Sequence, residues 1–162
     1  MYKTVLFFTF ISSLLFSGEK YPFFTISNNK ISVKVYIPDR ENGFYRGCRF
    51  DWSGIIGRVK YGKHTFFGKW LTPYNPEDQN GAMSTAEEYG MGISGMPSPL
   101  GFYEAKEGEG FLKIGVGVLK KEGEKYFFGK HYKFLKYGNW NVRKGIDFVE
   151  FRQKLSYGKY LS

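Results

Sequence analysis

The sequence predicts an all-β fold of antiparallel strands, and three observations carry that expectation. Aromatic residues and glycine are both abundant, with 17 Phe, 13 Tyr and 3 Trp beside 21 Gly, the composition of aromatic strands joined by glycine turns. Short stretches alternate apolar and polar residues with period two, as a strand does when one face packs and the other meets water. No stretch reads as a helical domain.

At 162 residues the length suits one domain. The single cysteine, Cys48, leaves neither an internal disulfide nor a cysteine-based metal site to staple the core.

The first 18 residues have the layout of a signal peptide: Lys3 precedes an apolar run over residues 5–16, and small Ser17 and Gly18 follow it. The run falls short of the roughly 20 residues a membrane-spanning helix needs, and charged Glu19 and Lys20 come next. The chain is therefore expected to be exported to the periplasm or the extracellular space, with cleavage near Ser17 or Gly18, residues 19–162 as the working domain and no stable membrane span afterwards. Loss of Lys3 takes the formal charge from +9 to +8, enough to attract phosphate, acidic polysaccharide or an anionic membrane surface. Lys and Arg are scattered evenly from Lys20 to Lys159, which is how charges solvate a sheet, and no nucleic-acid partner is expected.

Along the chain, residues 31–37 alternate most clearly and form the first firm strand. Pro38 to Gly43 supply a turn, with proline ending the ladder and Asn42-Gly43 tolerating positive dihedrals, and Phe44 is expected to open another strand. Strand pieces follow at 50–52, 55–61 and 65–67, with a hairpin around Gly62. Residues 72–110 change character: Pro73, Pro76, Pro97 and Pro99 mix with Gly, Met and Glu. Loops beyond roughly 12–15 residues are uncommon in compact domains unless they bind something, so this excursion is the first place to look for function; residues 84–88 within it suggest a short helix. Strand signal returns at 111–119, 126–128, 132–135, 139–142 and 146–155, the last alternating Phe148, Glu150 and Arg152 on one face, and the chain closes on residues 157–162.

Chemistry-bearing motifs are sparse. Gly115-Val116-Gly117 resembles the start of a dinucleotide fingerprint, but strand signal surrounds it, and these glycines read better as room for another backbone or ring against the sheet. His64 and His131 lack the spacing of a metal site, and no serine sits in a nucleophile elbow. Neither a metal nor an organic cofactor is expected, and no catalytic residue is assigned. The excursion offers carboxylates beside aromatic rings, a mixture suited to sugar hydroxyls: Glu87, Glu88, and Glu104 after Phe102-Tyr103. Two carboxylates also serve glycoside hydrolysis, whereas paired with lysines such as Lys106 they do no more than balance charge. Trp52, Trp70 and Tyr103 are the candidate rings for stacking on a sugar.

Three segments together carry a family resemblance: Gly43-Phe44-Tyr45-Arg46-Gly47-Cys48-Arg49-Phe50-Asp51-Trp52-Ser53-Gly54, Pro99-Leu100-Gly101-Phe102-Tyr103-Glu104-Ala105 and Phe111-Leu112-Lys113-Ile114-Gly115-Val116-Gly117-Val118-Leu119. Over residues 31–155 the chain resembles a bacterial, exported branch of galactose-mutarotase-like proteins, relatives of the aldose 1-epimerases. The resemblance implies a β-supersandwich whose concave face holds a pyranose. In such enzymes a carboxylate takes the proton of the anomeric hydroxyl while a histidine protonates the ring oxygen, without a cofactor. It also implies a considerably longer chain, with the catalytic histidine and glutamate in a later half that this sequence does not reach. The family's arginine-asparagine-arginine and histidine-glycine-glycine signatures have no match, since Gly57-Arg58 continues into Val59-Lys60-Tyr61.

The leading expectation is thus an exported protein resembling the N-terminal portion of an aldose 1-epimerase, acting on or binding a hexose. The alternative is a noncatalytic cell-surface module that recognises a hexose or polysaccharide, its basic surface holding acidic polymer. An outer-membrane barrel is a third, disfavoured because residues 120–125 and 130–133 break the lipid-facing alternation. The sequence specifies no oligomeric state.

Overall fold

The computed structural model describes residues 20–158 and 160–161; the signal-peptide reading of residues 1–18 lies outside them. The described chain is all-β, with every strand pair antiparallel and no helix. Among the described residues no helix is long and apolar enough to cross a membrane.

Four strands form a meander in the order β1 (Phe23–Ser27), β2 (Ile31–Tyr36), β3 (Ile56–Tyr61) and β4 (His64–Phe66). Asn28 starts its first turn by accepting the N–H groups of Lys30 and Ile31 on its side chain, at 2.9 and 2.8 Å, a local substitute for the ladder that turn asparagines provide. Gly62, at φ 56°, makes the expected hairpin to β4. The β2–β3 register slips at Lys34, which pairs with Arg58 while Val35 pairs with Ile56. Gly57 is therefore the extra residue of a β-bulge, and bulges bend a strand and re-aim its neighbours.

A second sheet takes β5 (Gly110–Lys113), β6 (Gly117–Lys120) and β7 (Phe134–Tyr137). Two hairpins follow, β8 (Asn139–Lys144) with β9 (Val149–Lys154), and β10 (Ser156–Tyr157) with β11 (Tyr160–Leu161). The glycine reading holds at Gly117, where an added Cβ would collide with the Lys136 carbonyl of β7. The apolar run at 111–119 is not one strand, because Gly115 turns at φ 76° and folds it into the β5–β6 hairpin.

Residues 44–54 form no strand, contrary to expectation, and the reason is a side chain. The buried Tyr45 hydroxyl accepts the N–H groups of Arg49 and Phe50, at 3.3 and 3.1 Å, and lies 3.2 Å from the Gln79 carbonyl. Backbone donors satisfied this way need no ladder partner. Residues 126–128 repeat the device, with the Tyr132 hydroxyl accepting the Phe127 N–H at 3.0 Å.

The excursion is packed rather than loose. Leu112 donates to the Leu100 carbonyl at 2.9 Å, Asp51 to that of Glu87 at 2.8 Å and Arg46 to that of Pro76 at 2.7 Å. Phe102 is fully buried and meets Phe111, Tyr126 and Tyr132 edge-on, a preferred aromatic geometry. The helix expected at 84–88 is absent, with Ser84 at φ 60° and its hydroxyl accepting the Ile56 N–H. One large aromatic core results, beside a smaller cluster of Leu112, Val118 and Leu155.

Candidate functional site

The bulge at Gly57 defines the base of a cleft. Strand alternation puts Lys34 and Tyr36 on one face of β2, and the register puts Arg58 opposite Lys34. Lys20 and Tyr21, from the segment before β1, and Lys69, from the segment after β4, close a space of about 480 Å³ over these residues. That volume lies within the roughly 300–1,000 Å³ typical of small-molecule clefts.

Its wall is rigid. Tyr36, Phe44 and Tyr74 stack in sequence, with centroids 4.2 and 4.5 Å apart, and Tyr21 meets all three edge-on. The Tyr74 hydroxyl donates to the Phe44 carbonyl, and burial raises its pKa well above the usual phenol range. The Tyr36 ring lies so close over Gly57 that a Cβ there would stand 2.6 Å from Tyr36 Cε2.

The cations differ in exposure. Lys34 is buried, its ammonium 4.3 Å from the centre of the Phe23 ring and 4.8 Å from that of Tyr36, which are favourable cation–π distances. Arg58 and Lys69 are exposed, and Lys69 reaches over Tyr21 and Tyr74. Among the described residues, the cleft lining is four cations, two phenols and a glycine. Such a lining has the charge to suit an anion.

The residues expected from sequence lie elsewhere. Trp52 is buried, and its indole N–H donates to the Gly47 carbonyl at 2.7 Å; its ring packs against Phe134 and Tyr137 and presents no face to solvent. Trp70 is exposed, with its indole held by the Ala82 carbonyl at 3.2 Å; it follows cleft residue Lys69 in the chain but does not line the cleft. Glu87 is exposed and accepts the Tyr89 hydroxyl. Tyr103 and Glu104 are exposed at the other end of the excursion.

Glu88 is instead the centre of a buried polar knot. Arg49, sandwiched between Phe50 and Phe128, donates Nε–H to Glu88 Oε2 at 2.8 Å. Fully buried Lys113 approaches Oε1 at 3.7 Å and donates to the Tyr126 hydroxyl at 3.0 Å and the Gly90 carbonyl at 3.2 Å. Burial lowers the Lys113 pKa to about 8, partly offset by the Glu88 carboxylate.

Beside it the Cys48 sulfur lies 3.1 Å from Gln79 Oε1 and accepts the Tyr132 N–H at 3.2 Å. The Gln79 amide nitrogen meets His131 Nδ1 at 2.7 Å. Gln79 thus stands between thiol and imidazole, and burial raises the thiol pKa, the opposite of what a nucleophilic Cys–His pair requires. The knot ties the excursion to the sheets.

Tyr21, Tyr36, Arg58 and Lys69 carry no joint signal in the sequence, because the cleft draws on four separate segments. The usable signal was in β2, where alternation pairs Lys34 with Tyr36. Among the described residues no group of three or more His, Cys, Asp or Glu could hold a metal ion. Comparison of the chain with protein-family models, with curated proteins and with solved structures finds no match.

Proposed function

We propose that this is an exported carbohydrate-recognition protein that holds an acidic sugar in the cleft over Gly57. The observation that carries the reading is the lining itself, in which Arg58, Lys69 and Lys20 surround rings of Tyr21 and Tyr36. A carboxylated or phosphorylated sugar offers an anion for the first set, over a floor that the buried rings of the second set build. Cations and phenols are the chemistry of holding an anion, whereas anomerisation needs a base at the anomeric hydroxyl and an acid at the ring oxygen. Glu88, the best-placed carboxylate of the excursion, is engaged by Arg49 and Lys113 beneath the surface.

The galactose-mutarotase resemblance supports sugar as the ligand class and a β-supersandwich as the architecture to which these sheets contribute. It rests on residues 43–54, 99–105 and 111–119. Calorimetric titration with an oligosaccharide of hexuronic acid and with its neutral hexose counterpart tests the reading. Saturable heat from the acidic oligosaccharide, suppressed by salt, is expected; heat from neither, or from the neutral sugar alone, overturns it.

A further inference from the structure

Every residue from 60 to 70 is exposed, yet this stretch is not a polar loop. The ladder pairs Ile31 with Tyr61, Tyr61 with His64 and Val59 with Phe66, so period two sets Ile31, Tyr61 and Phe66 on one face of the sheet. Tyr61 is 52% exposed and Phe66 49%, on the edge strand. Phe67 follows the strand, 48% exposed and at φ 63°, a conformation a bulky residue rarely adopts, and it ends the pairing of this edge.

Charge accompanies the rings. From Trp52 to Pro76 the sequence holds no Asp or Glu, while Arg58, Lys60, Lys63 and Lys69 fall within it. Lys30 occupies the β1–β2 turn at the same end of the sheet as Lys63, since Ile31 pairs with Tyr61.

We propose that this aromatic face docks the protein on an anionic lipid surface. Rings of Tyr61 and Phe66 enter the boundary between headgroups and acyl chains, and Lys30 and Lys63 meet lipid phosphates. A second copy is the poorer occupant, because it brings the same cations to the face. An acidic polymer would satisfy the lysines and leave Tyr61 and Phe66 in water. The inference is independent of the cleft, which uses neither of these rings.

Co-sedimentation tests it, with vesicles of phosphatidylcholine alone and of phosphatidylcholine mixed with phosphatidylglycerol. The protein is expected to pellet with the mixed vesicles, less at high salt, and to stay in solution with the neutral ones. Phe66→Thr, a β-branched residue that suits the exposed edge strand and so keeps the fold, is expected to weaken partitioning about fivefold. Absence of binding to mixed vesicles, or equal binding by the variant, overturns the proposal. So does a wild-type dimer in sedimentation velocity that Phe66→Thr dissolves, which would make a second copy the occupant.

Discussion

Lys113 and Glu88 form a buried ion pair, 3.7 Å between Nζ and Oε1, that joins strand β5 to the excursion. The pair is asymmetric, because Arg49 holds the other carboxylate oxygen at 2.8 Å. Glu88 keeps a cation, Arg49, if Lys113 is lost, whereas Lys113 keeps no anion if Glu88 is lost, only the Tyr126 hydroxyl and the Gly90 carbonyl. Breaking a buried pair from one side strands a charge and costs about 3–5 kcal/mol. Glu88→Gln is therefore expected to destabilise by about 3 kcal/mol in urea unfolding, Lys113→Met by less, and the double variant by less than Glu88→Gln alone.

The same lysine imposes a pH dependence. Its pKa falls from 10.5 to about 8 on folding, so between these values the unfolded chain binds the extra proton and stability rises with pH. Cys48 opposes this, because its thiol pKa is raised above 9.0 and the unfolded chain loses that proton first; the buried tyrosines act likewise above about pH 10. Denaturation measured from pH 8 to 9.5 is expected to show a rise of about 1 kcal/mol per pH unit in Cys48→Ala, a shallower rise in the wild type and none in Lys113→Met.

Cys48 is buried, and its pKa is raised by desolvation. The native thiol is expected to resist an aromatic disulfide reagent and to react stoichiometrically once urea unfolds the chain. Rapid reaction of the native protein would mean that the contact between residues 44–54 and Tyr132 opens freely.

Gly57 is the position at which one methyl group decides the cleft. A Cβ there meets the Tyr36 ring, so Gly57→Ala is expected to turn that ring and weaken the binding of an acidic oligosaccharide roughly tenfold, about 1.4 kcal/mol. Calorimetry checks this. Unchanged affinity would place the ligand elsewhere.

The strands were legible where alternation is local, as in β2, β3 and β9. What could not be read were places where a distant side chain replaces a ladder partner. Tyr45 and Tyr132 satisfy backbone donors with their hydroxyls, and nothing in the sequence around residues 50–52 or 126–128 distinguishes that from pairing. The site followed the same pattern. Glu88 was found in the excursion, but its partners Arg49 and Lys113 come from outside it, and they make it a tie between segments. Trp52 reads like Trp70 in sequence, and only packing separates a core ring from an exposed one.

Backbone amide shifts recorded while an oligosaccharide of hexuronic acid is added test the central claim most directly, because they locate the ligand. Perturbations concentrated at Tyr21, Tyr36, Gly57, Arg58 and Lys69 are expected. Perturbations centred on Tyr103 and Glu104, or on the β8–β9 hairpin, would contradict it.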